Sequence, residues 1–224
     1  MSIQVTISEL YSLEHTLAKP YLEQFTYPWE ALAGIGDFVR TLGKTLNPEE
    51  YDEIAPAVWV AKSATVAPTA TIKPPCIIGP ETEVRPGAFI RGNVLVGAGA
   101  VVGNSTELKN VILFDKVQVP HYNYVGDSIL GFKAHMGAGS ITSNVKSDKT
   151  LVVVKSPDGR RWETGRKKFG AMLGDSVEVG CNSVLNPGTV IGRESNIYPL
   201  SCVRGVVPAG HIFKAPGNVV EKEH

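Results

Sequence analysis

The chain of 224 residues is long enough for one well-packed domain, and its 22 basic and 22 acidic residues leave no formal net charge. This balance excludes the strongly basic composition of many nucleic-acid-binding proteins, and no apolar run approaches the roughly 18 residues needed to cross a bilayer. The three cysteines are odd in number and no two of them form a CxxC motif, which argues against a disulfide framework and against a zinc site. We therefore expect a cytoplasmic protein without a nucleic-acid, membrane or metal partner.

The N-terminal segment, residues 1–56, predicts helices. Pro28 can occupy the first turn of a helix, because its missing N–H has no partner there. Asn47 and Pro48 predict the cap and start of another helix. The apolar residues after Pro28 recur at helical spacing on one face: Leu32, Ile35, Val39 and Leu42.

From Val60 onward, the sequence has a period of six. Every sixth residue is aliphatic from Val60 to Leu108 and again from Leu173 to Val203, and a mostly small residue follows four places later. Neither an α-helix nor an alternating strand has this period. The pattern predicts a mainly β fold over residues 57–207, in which three hexads make one triangular turn and successive turns stack as parallel sheet about 4.8 Å apart.

The repeat is interrupted at residues 145–170, which are too many for a corner between hexads. Between residues 146 and 168 stand eight Lys or Arg residues and three acidic ones, a local net charge of +5. Residues 152–154 predict a hairpin strand. Long insertions in compact domains are frequently functional, so we expect an inserted basic loop, and residues 208–224 form a C-terminal tail.

Outward positions of the coil carry the candidate chemistry. Arg91 and Lys109 are eighteen residues apart, one full turn, so they should stack on one face as two cations suited to a phosphate. The alternative is two solvated charges. His121 falls at an outward corner, where its imidazole could accept a proton from an attacking amine, although an exposed histidine can equally have no role.

Three further polar residues lie near His121 in the sequence. Tyr124 could reach a phosphate or sugar, and Asn144 could hold an amine or hydroxyl, unless both are only turn residues. His135 invites a metal interpretation, but no third ligand at a suitable spacing supports one.

These positions fall within motifs that resemble a known family. The stretches "GNSTELKN", "VPHYNYVGDSILG", "HMGAGSITSN" and "TGRKKFGA" are similar to the acetyltransferase domain of bifunctional sugar-1-phosphate nucleotidylyltransferase/amino-sugar-1-phosphate acetyltransferases. The segment "YPWEALAGIGDFVRTL" resembles the helix that follows their nucleotidylyltransferase domain. No Gly-rich nucleotide-binding segment stands before it, so we expect a chain without that domain.

The resemblance implies a left-handed β-helix, a homotrimer and the use of acetyl-CoA. It implies that His121 is the general base. An amino-sugar 1-phosphate would be bound by Arg91, Lys109, Tyr124 and Asn144. His135, which stands where the bacterial enzymes have asparagine, would be a further contact. CoA would lie near Ala138 and Cys181. Its phosphates would meet the basic loop, for which we name Lys167 and Lys168.

The sequence also departs from the family. Val145 replaces a tyrosine, Cys181 replaces a serine, and Pro199 stands where the bacterial enzymes present a backbone N–H to CoA. These changes favour an alternative, a non-catalytic trimeric subunit related to UDP-N-acetylglucosamine pyrophosphorylases that binds a sugar nucleotide or a separate nucleotidylyltransferase. Uridylyl transfer by the chain itself is excluded, because 56 residues cannot form a nucleotide-binding fold.

Overall fold

The computed structural model describes residues 3–223, most of which form a coil of short parallel strands with a triangular cross-section. Strands are stacked in register, as in the pairing of Val58 with Cys76 and of Cys76 with Val94. The hexad aliphatic residues point into the coil, and Ile78, Ile90 and Leu108 have no exposed surface. The β-helix predicted from the repeat is therefore confirmed.

Two strands bend around a corner and contribute to two faces each, Glu107–Leu113 and Tyr124–Leu130. The first face contains their first halves together with Thr71–Ile72, Phe89–Ile90, Ile141–Thr142, Val184–Leu185 and Cys202–Val203. The second face contains their second halves together with Tyr51–Ala55, Val58–Ala61, Cys76–Ile78, Val94–Val96, Ala171–Leu173, Thr189–Ile191 and Val206–Val207.

The third face is a separate sheet. It contains Thr65–Val66, Glu83–Val84, Val101–Asn104, Gln118–His121, His135–Met136, Glu178–Val179, Asn196–Ile197, His211–Ala215 and Asn218–Glu221. The last of these strands is antiparallel to its neighbour and closes one end of the coil, as Tyr51–Ala55 does at the other end.

The chain turns its corners through residues with left-handed backbone angles. Asn93, Asn110 and Asp127 form one such corner column, with φ of 54°, 56° and 48°. Asn and Asp adopt this conformation more readily than most residues, because their short polar side chains bond locally. These residues are seventeen apart rather than eighteen, which accounts for the shortened repeat after Leu108.

The N-terminal segment is wrapped along the coil. It forms the α-helices Ile7–Leu10, Lys19–Leu22 and Ile35–Gly43 and the 3₁₀-helices Leu13–His15 and Pro28–Ala33. Pro28 occupies the first turn of its helix as predicted, and Leu32, Ile35 and Val39 are buried. The helix predicted at Asn47 is wrong: the Asn47 carbonyl accepts from Glu50 and Tyr51 in a turn, and the chain then enters a strand.

The insertion contains the predicted hairpin, Val153–Lys155 paired antiparallel with Arg161–Glu163. Val152 and Val154 are fully buried against the coil. A single bridge between Val145 and Lys168 brings the two ends of the insertion together. None of the helices among residues 3–223 has the length and apolarity required to cross a membrane.

Candidate functional site

The strand register places Arg91 and Lys109 next to each other at the end of the first face. Leu108 pairs with Ile90, and the Arg91 N–H donates to the Leu108 carbonyl over 2.8 Å. The predicted stacking is therefore confirmed. The residues that follow this column one and two turns later are Gly126 and Ser143. The missing side chain of Gly126 leaves room for those of Tyr124 and Asn144, because a Cβ there would lie 2.5 Å from the Tyr124 hydroxyl and 3.0 Å from the Asn144 amide nitrogen.

Each of the two cations has a carboxylate partner, which the sequence analysis did not predict. Arg91 Nη1 lies 2.6 Å from Glu107 Oε1, and Lys109 Nζ lies 2.9 and 3.1 Å from the two carboxylate oxygens of Asp127. The like charges tolerate each other because each has its own carboxylate. Asp127 also receives a hydrogen bond from Asn110.

Tyr124 and Asn144 join this group from the next two turns. The Asn144 amide donates to the Tyr124 hydroxyl over 3.2 Å and to Asp127 Oδ2 over 2.6 Å. Burial raises the pKa of Tyr124, and the Asp127 and Glu107 carboxylates add to this, so the phenol remains a donor at neutral pH. We call the following residues the first-face cluster: Arg91, Glu107, Lys109, Tyr124, Asp127 and Asn144.

The cluster retains capacity for a ligand. A guanidinium has five N–H donors, whereas the Arg91 side chain, 44% exposed, makes one hydrogen bond to the described residues 3–223, that to Glu107. That bond also raises the pKa of Arg91. Within residues 3–223 no donor contacts the Asn144 Oδ1 atom, which can accept from an amine. The cluster therefore offers donors for an anion and an acceptor for an amine side by side.

His121 is exposed at the corner that precedes the first face. Its backbone N–H donates to Asn123 Oδ1 over 3.1 Å, and the Asn123 amide in turn donates to the Gly137 and Ser140 carbonyls. These bonds fix the corner that carries the imidazole. Tyr124 follows His121 by three residues in the chain. No hydrogen bond links the His121 ring to the first-face cluster within the described residues.

His121 shares its corner with the residues assigned to CoA. Backbone bonds run from turn to turn along this corner: Gly139 N to His121 O, Asn182 N to Ala138 O and Leu200 N to Cys181 O, with lengths of 2.8–3.0 Å. His121, Ala138 and Cys181 thus occupy equivalent positions on successive turns. We call this column, which continues to Pro199, the His121 edge.

The remaining predicted residues lie apart from the cluster or at its margin. His135 is on the third face, where its Nδ1 lies 2.7 Å from Glu178 Oε2. Lys167 and Lys168 are exposed, and they precede Phe169, whose N–H donates to the Asn144 carbonyl over 3.0 Å. Among residues 3–223, no three His, Cys, Asp or Glu side chains are grouped as metal ligands.

Glu107 and Asp127 belong to the site but were not among the residues predicted from the sequence. Both were detectable, because in a coil with an 18-residue turn an acid 16 to 18 residues after a cation lies beside it, as Glu107 does beside Arg91 and Asp127 beside Lys109. The spacing of opposite charges was therefore the signal for these two carboxylates.

Comparison with known proteins places the chain in a family. The profile described as the GMPPB C-terminal domain matches residues 72–206. The chain belongs to the GMPPB C-terminal domain family. The segment matched contains His121 and every residue of the first-face cluster.

Curated relatives support the resemblance seen in the motifs. The chain is 37% identical over 112 residues to a bifunctional sugar-1-phosphate nucleotidylyltransferase/acetyltransferase of Sulfurisphaera tokodaii, which covers 50% of this chain and 28% of that protein. It is 34% identical over 123 residues to the bifunctional protein GlmU of Methanococcus maripaludis, covering 54% and 29%. The chain thus spans less than a third of the length of these two relatives.

Among solved structures, the polySia-specific acetyltransferase NeuO is similar with a TM-score of 0.48 and 13% sequence identity. The similarity covers 71% of this chain and 80% of NeuO.

Proposed function

We propose that the protein is an acetyl-CoA-dependent N-acetyltransferase that acts on an amino-sugar 1-phosphate, a substrate of nucleotide-sugar biosynthesis. The observation that carries the proposal is the His121 edge, where an exposed imidazole stands in one column with Ala138 and Cys181 and three residues from Tyr124. A proton acceptor at the corner before the first face is then combined with anion donors and an amine acceptor at the other end of the same face. The acetyltransferase part of the name of the Sulfurisphaera tokodaii relative agrees with this chemistry.

In the proposed reaction the substrate phosphate binds to the free donors of Arg91 and to the Tyr124 hydroxyl, beside Lys109. Asn144 Oδ1 accepts from the substrate amine and directs it toward His121. As the amine nitrogen attacks the thioester carbon, His121 accepts its proton, and a backbone N–H at the corner stabilises the oxyanion. The C–S bond then breaks, and CoA thiolate leaves and is protonated.

Acetyl-CoA would extend along the His121 edge past Ala138 and Cys181. Basic residues of the insertion, to which Lys167 and Lys168 belong, would meet its phosphates, because the insertion returns to the coil at Asn144. A second copy of the chain in a homotrimer would form the opposite wall of the groove.

A thiol-release assay with acetyl-CoA and a panel of amino-sugar 1-phosphates tests the proposal. We expect turnover that His121→Ala lowers by about 10² to 10⁴-fold, since general base catalysis contributes about that much. His211→Ala, which changes an imidazole at the far end of the coil, is the matched control and should leave turnover unchanged. Turnover that survives His121→Ala within a few-fold would show that the imidazole is not the base.

Two observations favour a second function, that of a non-catalytic subunit that binds a sugar nucleotide or a separate nucleotidylyltransferase. Glu107 and Asp127 neutralise the two cations of the cluster, and Pro199 has no N–H to offer along the His121 edge. Absence of thiol release with every amino-sugar phosphate, together with measurable binding of a sugar nucleotide, would support this alternative.

A further inference from the structure

A second group of cations lies away from the first-face cluster, where the inserted hairpin meets the coil. A cleft of about 430 Å³ runs between residues 153–161 of the hairpin and the turns at Pro187 and at residues 204–206. Four basic side chains line it, and no acidic residue does: Lys146, Lys155, Arg161 and Arg204.

The charges in this cleft are largely uncompensated. Lys155 and Arg161 stand directly opposite each other in the antiparallel hairpin, an arrangement that is unfavourable without an anion between them. Lys146 pairs with Asp148. The other three cations are exposed, and within residues 3–223 none of them has a carboxylate partner.

The walls of the cleft are held close by packing. Gly205 has φ of +73°, and a Cβ built on it would lie 2.4 Å from the Lys155 carbonyl oxygen, so only glycine allows this approach. Val152 makes the corresponding contact with Gly188 and is fully buried. The cationic side chains are therefore presented by two rigid elements.

We propose that this cleft is a binding site for phosphate groups, and that its ligand is the phosphate end of the acyl carrier. Its position relative to the His121 edge supports this source: Tyr124 pairs with Ile141, Ile141 with Val184 and Val184 with Cys202. Arg204 thus lies in the column of Gly126 at the far end of the first face, three turns beyond the turn that carries His121, or roughly 14 Å along the coil. The extended pantetheine arm of CoA separates its thioester from its diphosphate by several such turns.

The identity of the ligand rests on the proposed function, whereas the site itself does not. An amino-sugar 1-phosphate carries the same chemistry, and it is the other possible source. Arg and Lys bind phosphate through charge-assisted hydrogen bonds whichever molecule bears it.

Calorimetric titration with inorganic pyrophosphate tests the site independently of catalysis. We expect the double variant Arg161→Gln/Arg204→Gln to raise the dissociation constant about tenfold or more, since hydrogen bonds to charged groups are the strong ones. The matched control Arg40→Gln/Lys44→Gln removes two exposed charges near the other end of the coil and should bind like the wild type. Absence of binding by the wild type at millimolar pyrophosphate, or an equal loss in the control, would overturn the proposal.

Titrations with CoA and with glucosamine 1-phosphate distinguish the two sources. We expect the double variant to bind CoA about tenfold more weakly than the wild type and to bind glucosamine 1-phosphate with unchanged affinity. Weakened binding of the sugar phosphate alone would overturn the assignment to the acyl carrier. Normal pyrophosphate and CoA binding by an inactive wild type would refute the transferase function and leave the cleft in place.

Discussion

At the scale of single residues, Asp127 organises the first-face cluster. Its carboxylate accepts from the side chains of Lys109, Asn110 and Asn144, and only 4% of the residue is exposed. The backbone contributes too, since its left-handed φ turns the corner and its carbonyl accepts from Gly170. One acidic residue therefore fixes the Lys109 ammonium, the Asn144 amide that is a candidate to bind the substrate, and the turn beside them.

Replacing this carboxylate isosterically tests its role. We expect Asp127→Asn to lower the free energy of unfolding by about 2–3 kcal/mol, because the partly buried Lys109 ammonium loses its counter-charge while asparagine still tolerates the corner. Urea unfolding measures this. Glu83→Gln, which breaks the exposed pair with Arg85, is the control and should change stability little. Equal stability of Asp127→Asn and the wild type would show that Lys109 does not depend on Asp127.

At the scale of elements, the N-terminal segment is fastened to the coil by its backbone. The Ser12 N–H donates to Asp175 Oδ2 over 2.7 Å, and Arg193 donates to the Ser8 carbonyl. Asp175 also accepts from the Phe132 N–H through its Oδ1. This carboxyl therefore joins the segment to two turns of the coil.

The helices of this segment show what a local pattern can and cannot predict. Proline placement and apolar spacing predicted the element that begins at Pro28, because both depend on neighbouring residues only. The helix expected at Asn47 failed, because residues 51–55 pair with the first strand of the coil and the preceding residues must turn toward it. Antiparallel pairing with the strand that follows directly in the chain, Val58–Ala61, overrode the helix signal.

Burial raises the pKa of Asp175, which makes the attachment of the N-terminal segment depend on pH. An acid whose pKa is raised by folding stabilises the protein below the pKa of the unfolded chain, about 4, and this contribution is lost as pH rises through the folded pKa. We expect Asp175→Asn to gain stability relative to the wild type over that rise. Urea unfolding of both proteins in steps from pH 4 to neutrality measures it. A difference that stays constant or reverses sign would show that burial of the charge is not costly there.

At the scale of the whole molecule, the six-residue period predicted the architecture because every turn repeats the same packing requirement. An aliphatic residue must fill the interior at each hexad, so the sequence carries the signal many times over. The contacts of single cluster residues carry no such repetition. The stacking of Arg91 on Lys109 followed from the period, and the length of one turn also brings Glu107 and Asp127 beside these cations. Which of these groups bond to each other depends on side-chain conformations that a period does not specify.

The His121 edge exposes large apolar side chains that a single chain leaves uncovered. Tyr122 is 65% exposed, Tyr198 45% and Leu200 80%, and Tyr122 and Leu200 occupy equivalent left-handed corners three turns apart. Apolar side chains concentrated along one edge are typical of a surface that another protein covers. In the proposed homotrimer, a second copy covers this edge and completes the groove at His121.

This assembly predicts that one substitution will remove both association and activity. We expect sedimentation to give three times the mass of one chain for the wild type, and about one chain for Leu200→Asp, because aspartate places a charge in the contact and still fits the corner. Thiol release should fall with the loss of the trimer, since the groove loses one wall. Val219→Asp, at the end of the coil, is the control and should keep the mass of the wild type. A single-chain mass for an active wild type would refute the trimer, and activity retained by a dissociated Leu200→Asp would show that one chain forms the site alone.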